Sequence, residues 1–578
     1  MFKTRCIRHK YSTIFLLFLI CYYGYTISRA YGFTFFPDEF GYWSYAAKAA
    51  GYDWSDIASL GSYYSYGYSL ILIPIFILFH NAVTAYRMAV TLNFIFMGAT
   101  FFLLVRIQQN FYPQADKERT ELFAAIAVLY PAWLFYARST MVEIALVFCF
   151  TLSCYLLQEY TKKKSIWVLI GYVVTLAYAY FLHMRAVGTL LAGILALVAV
   201  HLHKREKVKL KKQWVHAILL VFLLLVLLGI GYFVKKNMGY AMYAQNGTED
   251  MNINDYAGQF DKIRYIFTKD GILDCIYGFA GKLLYVGIAT FGLAYIGVWR
   301  SGKKIVEKAK HTPCYLFLIL SLLAEISINT IFNVRPLRVD NVVYGRYHEY
   351  VLPVLIILGL WEMTADHKIM KKVGAIILLQ LPMTWMAVKL IEKYQLTNIH
   401  GYVMIGMSYL HYVGEYNPTR LIWLTYLFAI PVTLLIAAII KITQKHKEWQ
   451  FLIIMIWVIE IALAMRASTL YLDASAKGAF RDTYIVDKIE ELRTDNADGR
   501  LLYIDEEDNT IISILQFMLR EEDIIVLPRK DNLESYSEEE MKPQDMVLID
   551  FRSQFGTELS KMYENSTMNG HFILYYNK

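Results

Sequence analysis

Residues Trp214 to Val234 read WVHAILLVFLLLVLLGIGYFV. The run carries no formal charge and has the length, about 20 residues, that an α-helix needs to cross roughly 30 Å of hydrocarbon. Arg420 to Ile440, RLIWLTYLFAIPVTLLIAAII, has the same character behind a single arginine. Similar runs recur along the chain, too many for a secretory signal or a single anchor. Of the 578 residues, 57% are hydrophobic and 16% aromatic, while only 18% are charged, a balance foreign to soluble globular proteins. The sequence therefore predicts a polytopic α-helical membrane protein.

The formal charge of +8 does not mark a nucleic-acid partner, because Lys and Arg concentrate in short connectors between apolar runs, where membrane topology alone places them. Lys3, Arg5, Arg8 and Lys10 precede the first apolar run, Tyr11 to Ser28, and put the N-terminus in the cytoplasm. Residues 29 to 84 then begin outside, and the clusters at Lys117/Arg119, Lys162 to Lys164, Lys204 to Lys212, Lys303 to Lys310, Lys368 to Lys372 and Lys441 to Lys447 all fall inside, provided that Tyr68 to His80 does not cross. That segment, YSLILIPIFILFH, is short and contains Pro74, which suits an interfacial or re-entrant helix. The spans expected are then 11–28, 85–107, 121–137, 141–160, 165–182, 186–202, 213–234, 278–299, 313–333, 347–364, 373–391, 419–441 and 450–466, about thirteen in all, with the C-terminus outside.

Two domains follow: 1–466 in the membrane and 467–578 as a small extracytoplasmic α/β domain. The tail alternates apolar strands (LLYID, IIVLP, MVLID, FILYY) with helical patterns at Thr483 to Leu492 and Ile511 to Leu519. It has no glycine-rich phosphate loop, so it reads as a docking or stabilising cap rather than a nucleotide site. None of the six cysteines lies in the tail, and their spacing gives no metal or disulfide pattern. Asn246-Gly-Thr and Asn565-Ser-Thr match the glycosylation acceptor pattern, a short match that arises by chance.

Chemistry-bearing residues collect at the outer ends of the apolar runs. The first outer loop, 29–84, contains YGFTFFPDEFGYWSYAAKAAG, with Asp38 and Glu39 among aromatics. A carboxylate there suits a base toward an acceptor hydroxyl, and aromatics suit stacking on sugar rings; Asp38 as the cap of the following helix is the structural alternative. In YPAWLFYARSTMVEIALVF, Arg138 lies in an outer turn and Glu143 opens the next run. They form either an ion pair tying two helices or part of a site, since ionisable groups at that depth are costly. HMRA places His183 and Arg185 on the same side, His183 reading first as structural. NVRPLRVDNVVYGRYHEYVL brings Arg335, Arg338 and Arg346 to the outer surface. Arginine there can hold a phosphate bidentately, for which Arg346 is the best placed, while Tyr347 and Tyr350 suit an interfacial belt.

In this order the motifs resemble the GT-C superfamily of membrane glycosyltransferases, in particular the protein O-mannosyltransferases and the bacterial lipid A aminoarabinose transferase. The resemblance covers roughly the first 365 residues and rests on Asp38 and Glu39 after the first span, the aromatic loop, Pro131/Arg138/Glu143, and the late Arg346-Tyr347 turn. It implies a sugar donor on a polyprenyl phosphate, with Asp38 as the catalytic acid of the first loop. The sequence departs from the family at Glu143, where Asp is frequent, and at Ser65 to Leu70, SYGYSL, where a lysine-proline-proline run is common.

The expected reaction is an inverting transfer to an acceptor hydroxyl of a lipid, glycan or protein of the cell envelope. Asp38, with Glu39 beside it, is the catalytic candidate. Arg138, Arg185, Arg346 and Tyr347 are candidates for the donor phosphate, and His183 is a further one. The leaving group is compensated either by these arginines or by a divalent metal ion held by Asp38 and Glu143. Rival readings are a transporter or flippase of lipid-linked saccharides, and a non-catalytic assembly or sensor protein.

Overall fold

The computed structural model describes residues 9–34, 36–61, 64–203, 210–243, 260–366, 368–411, 417–473, 484–495, 499–505 and 509–577. The Asn246-Gly-Thr match lies outside them. Among them, eight helices are long and apolar enough to cross a membrane: Ala82–Phe111, Glu143–Lys163, Leu220–Gly239, Lys269–Ala289, Thr312–Phe332, Ile369–Lys393, Pro418–Lys445 and Lys447–Asp473. The run at Trp214 lies within one continuous helix, Leu210–Tyr243. Ile166–Leu182 and Met184–Val200 are shorter apolar helices.

Three of the expected spans differ in ways that matter to the site. Residues 121–137 form two helices, Lys117–Val128 and Pro131–Tyr136, because Pro131 supplies no backbone N–H and starts a new helix at its first turn. Residues 278–299 divide between Lys269–Ala289 and Leu293–Val306. The break falls where Phe291 and Gly292 take φ of 48° and 79°, a left-handed conformation that glycine adopts without strain. The run 347–364 begins its α-helix only at Leu352, after a 3-10 turn Glu349–Val351, so Arg346 and Tyr347 belong to the connection. Ser69–Leu78, with Pro74 inside, is about 15 Å long at 1.5 Å per residue, half the hydrocarbon thickness.

The tail carries a five-stranded sheet: β1 (Leu501–Ile504), β2 (Ile524–Leu527), β3 (Met546–Asp550), β4 (Asn565–Asn569) and β5 (Phe572–Tyr576), in the order β2-β1-β3-β5-β4. β1 runs parallel to β2 and β3, with Leu501 opposite Ile524 and Met546. β5 is antiparallel to β3 and β4. β4 is a polar edge strand on which Asn565-Ser-Thr falls, and its composition gives no strand signal.

This domain seats on the first loop. Phe517, from helix Asn509–Met518, stacks on Phe33 at 4.1 Å between centroids and meets Trp43 edge-on at 5.1 Å. Arg520 donates to the carbonyls of Phe76 (2.8 Å), Phe79 (2.7 Å) and His80 (2.9 Å), in the last turn of helix Ser69–Leu78 and just beyond it. In return Trp54 donates Nε1–H to the Arg520 carbonyl at 3.0 Å, and Asp56 accepts from the Val526 N–H at 3.0 Å.

Candidate active site

Helix Pro37–Ala50 begins with Pro37 in its first turn and Phe36 at the N-cap, which makes no side-chain cap. Asp38 therefore does not cap the helix. It stands in the first turn, where a carboxylate is favoured by the helix dipole, and its Oδ2 accepts from Nη2 of Arg346.

Glu39 takes another direction. Its Oε1 accepts from the backbone N–H of Thr34 at 2.9 Å and from the Thr34 hydroxyl, and its Oε2 from the N–H and Oγ1–H of Thr140 at 3.0 and 2.6 Å. The side chain is fully buried, and burial pushes its carboxyl above the ordinary range against these four hydrogen bonds. Glu39 thus ties the loop to the turn before Glu143, and it is aimed away from the arginines. Trp43 Nε1–H to Thr140 Oγ1 at 3.0 Å and Asn93 Nδ2–H to the Ser139 carbonyl at 2.7 Å fasten the same turn.

Glu143 opens helix Glu143–Lys163. Its Oε1 accepts from Arg346 Nε at 2.6 Å and from Arg185 Nη2 at 3.0 Å. Asp38, Arg346, Glu143 and Arg185 therefore form one chain of alternating charge drawn from four separate segments. The turn bearing Arg346 is pinned by the N–H groups of Gly345 and Arg346, which both donate to the Val403 carbonyl at 3.1 and 3.0 Å. Only glycine fits at 345, because a Cβ there would lie 2.0 Å from the ring of Tyr285. Side-chain exposure falls inward from Asp38 (16%) to Arg346 (7%), then to Glu143 and Arg185 (2% each).

The inner end of the chain is under-satisfied. Nε and Nη1 of Arg185 and Oε2 of Glu143 are buried with no hydrogen-bond partner among the described residues, a costly state unless something polar binds them. The Arg185 guanidinium lies 5.1 Å from the centroid of Tyr347, whose ring also approaches those of Tyr344 (4.7 Å) and His183 (5.9 Å). His183 accepts the Arg185 N–H on Nδ1 at 3.2 Å. Burial, with Arg185 and Arg346 nearby, lowers its pKa well below the usual histidine range.

Arg138 does not join this chain, and the Arg138–Glu143 pair does not form. Arg138 turns instead to Asp473, at the end of the last apolar helix, at 2.6 Å, and lies 5.3 Å over the Tyr25 ring. Arg335 stacks 3.9 Å over Tyr265, and Arg338 pairs with Asp340 at 3.0 Å. Asp38 and Glu143 are bridged by the Arg346 guanidinium, and among the described residues no group of three or more His, Cys, Asp or Glu side chains is placed to hold a metal ion.

Beneath the chain lie two acids whose settings the sequence did not disclose. Glu349 accepts from Tyr130 at 3.0 Å and from Tyr285, and Glu325 accepts from the Thr189 N–H and hydroxyl at 2.9 and 3.0 Å. One oxygen of each is buried without a partner among the described residues. Glu349 lies three residues after Arg346 in the sequence.

No protein-family model matches the chain, and no curated protein sequence does. Solved structures match along nearly its whole length. The crystal structure of ArnT from Cupriavidus metallidurans in the apo state superposes with a TM-score of 0.55 at 12% identity, covering 97% of each chain. The chain has the ArnT fold. The same enzyme bound to undecaprenyl phosphate gives a TM-score of 0.56 at 11% identity, again over 97% of each chain. The match includes the small C-terminal domain as well as the helices, and the fold is the one implied by the resemblance of the motifs.

Proposed function

We propose that this protein transfers a sugar from a polyprenyl-phosphate carrier to an acceptor hydroxyl at the outer face of the membrane, with inversion at the anomeric carbon. The observation that carries the reading is the chain Asp38–Arg346–Glu143–Arg185, in which a carboxylate at the solvent end leads to two arginines, the inner one with unpaired N–H groups. Two guanidiniums suit a phosphate bidentately. The carboxylate suits proton removal. Asp38 takes the proton of the acceptor hydroxyl, and that oxygen attacks the anomeric carbon from the face opposite the phosphate. The carbon–oxygen bond to phosphate breaks, its electron pair staying on the phosphate, where Arg185 and Arg346 offset the charge from positions set before reaction. Phe36, 5.9 Å from the Arg346 guanidinium and edge-on to Tyr402 at 5.1 Å, belongs to the aromatic packing around the chain.

The fold shared with ArnT, a protein solved with undecaprenyl phosphate bound, supports a carrier of this class. The location of the charged chain at helix ends rather than mid-span supports transfer over carriage of the whole lipid-linked saccharide. The test is to incubate the purified protein with radiolabelled polyprenyl-phosphate sugars and membrane fractions. Label should pass from carrier to acceptor; donors that remain intact across a panel of sugars would count against the proposal.

A further inference from the structure

Arg346 is shared: it gives Nε to Glu143 and Nη2 to Asp38. The two carboxylates are not equally placed. Glu143 is 2% exposed and held by Arg185 as well, whereas Asp38 is 16% exposed, and Arg346 is its only ion-pair partner among the described residues. Two acids and two arginines balance in charge, so a phosphate entering beside them brings an excess of negative charge into a poorly hydrated site. Such an excess is costly unless one anion gives up its cation. Asp38 is the one that can, because water reaches it.

The unpaired Nε and Nη1 of Arg185 are donors free to bond the phosphate. Arg185 and Arg346 meet on the same oxygen of Glu143, which brings the second guanidinium within reach of a group bound by the first. Resting on the transfer reading, we infer that the donor's phosphate displaces Asp38 from Arg346. The empty enzyme keeps its base in an ion pair, and binding of the carrier releases that carboxylate at the moment a hydroxyl proton has to be taken.

The exchange makes an unusual demand on affinity: removing the charge of Asp38 should strengthen binding of the product carrier, because Arg346 then has nothing to give up. Binding of undecaprenyl phosphate to the purified full chain in detergent would be measured for wild type, Asp38→Asn and Asp38→Ala, with undecaprenol as the phosphate-free probe. Both variants should bind undecaprenyl phosphate roughly tenfold more tightly than wild type, the worth of one charge-assisted hydrogen bond, and undecaprenol should bind all three alike. Equal or weaker binding by both variants, beside a wild type that binds, overturns the exchange and leaves the transfer reading standing. An equal gain for undecaprenol also overturns it, since the phosphate is then not the competitor. A wild type that binds neither carrier overturns the transfer reading itself.

Discussion

Asp38 and Glu39 are adjacent carboxylates, and the helix they share turns about 100° from one to the next, which sends the first to a guanidinium and the second to a pair of threonines. Glu39→Gln would set an amide against the backbone N–H of Thr34 or Thr140. A buried donor that loses its acceptor costs about 1–3 kcal/mol, so the variant should melt at a lower temperature in detergent, followed by tryptophan fluorescence. A melting point equal to that of wild type would mean that the four hydrogen bonds do not hold the loop. Each member of the charged chain could be named from sequence, because an ionisable side chain at the end of an apolar run is conspicuous. Which acid meets which arginine could not be read. Asp38 and Arg346 are 308 positions apart, and Arg138 finds its partner Asp473 at a separation of 335, distances over which local pattern carries no information on contact.

Long apolar helices were legible because their length is set by the bilayer, whereas breaks within them depend on a few backbone groups. Pro131 could have been read as a helix start, but the turn at Phe291 and Gly292 is set by tertiary packing, which overrides the continuous hydropathy around it. β4 escaped detection for the converse reason: an edge strand needs a partner, here β5, more than it needs apolar residues. The contact between the C-terminal domain and helix Ser69–Leu78 lies at the same scale. Arg520→Ala leaves the carbonyls of Phe76, Phe79 and His80 without their donor and should cost about 2–4 kcal/mol. Limited proteolysis of the full chain should then release the C-terminal domain faster than in wild type, with Arg520→Lys in between. Unchanged cleavage would show that Phe517, Trp54 and Asp56 hold the domain without the Arg520 side chain.

At the scale of the whole molecule, we propose from the positive-inside pattern that the charged chain and the C-terminal domain lie on the same, outer side. The contacts of Phe517 and Arg520 with the first loop are consistent with that, since both partners must face one compartment. A single cysteine introduced on the exposed face of the C-terminal domain should react with an impermeant thiol reagent in intact cells; protection until lysis would reverse the topology. The apolar helices and the strands of the tail were legible from hydropathy runs and from strand patterns alternating with helical ones, but the seating of the tail on the first loop was not, because it rests on a few side chains in segments hundreds of residues apart. The central claim, that this assembly transfers a sugar with Asp38 as base, is tested most directly by the transfer rate of Asp38→Asn. Asparagine keeps the size of the side chain but cannot take up the proton. Labelled sugar transfer from polyprenyl phosphate should fall by about 10² to 10⁴ in a variant that still folds and binds undecaprenyl phosphate, whereas a rate within a few fold of wild type would contradict the account.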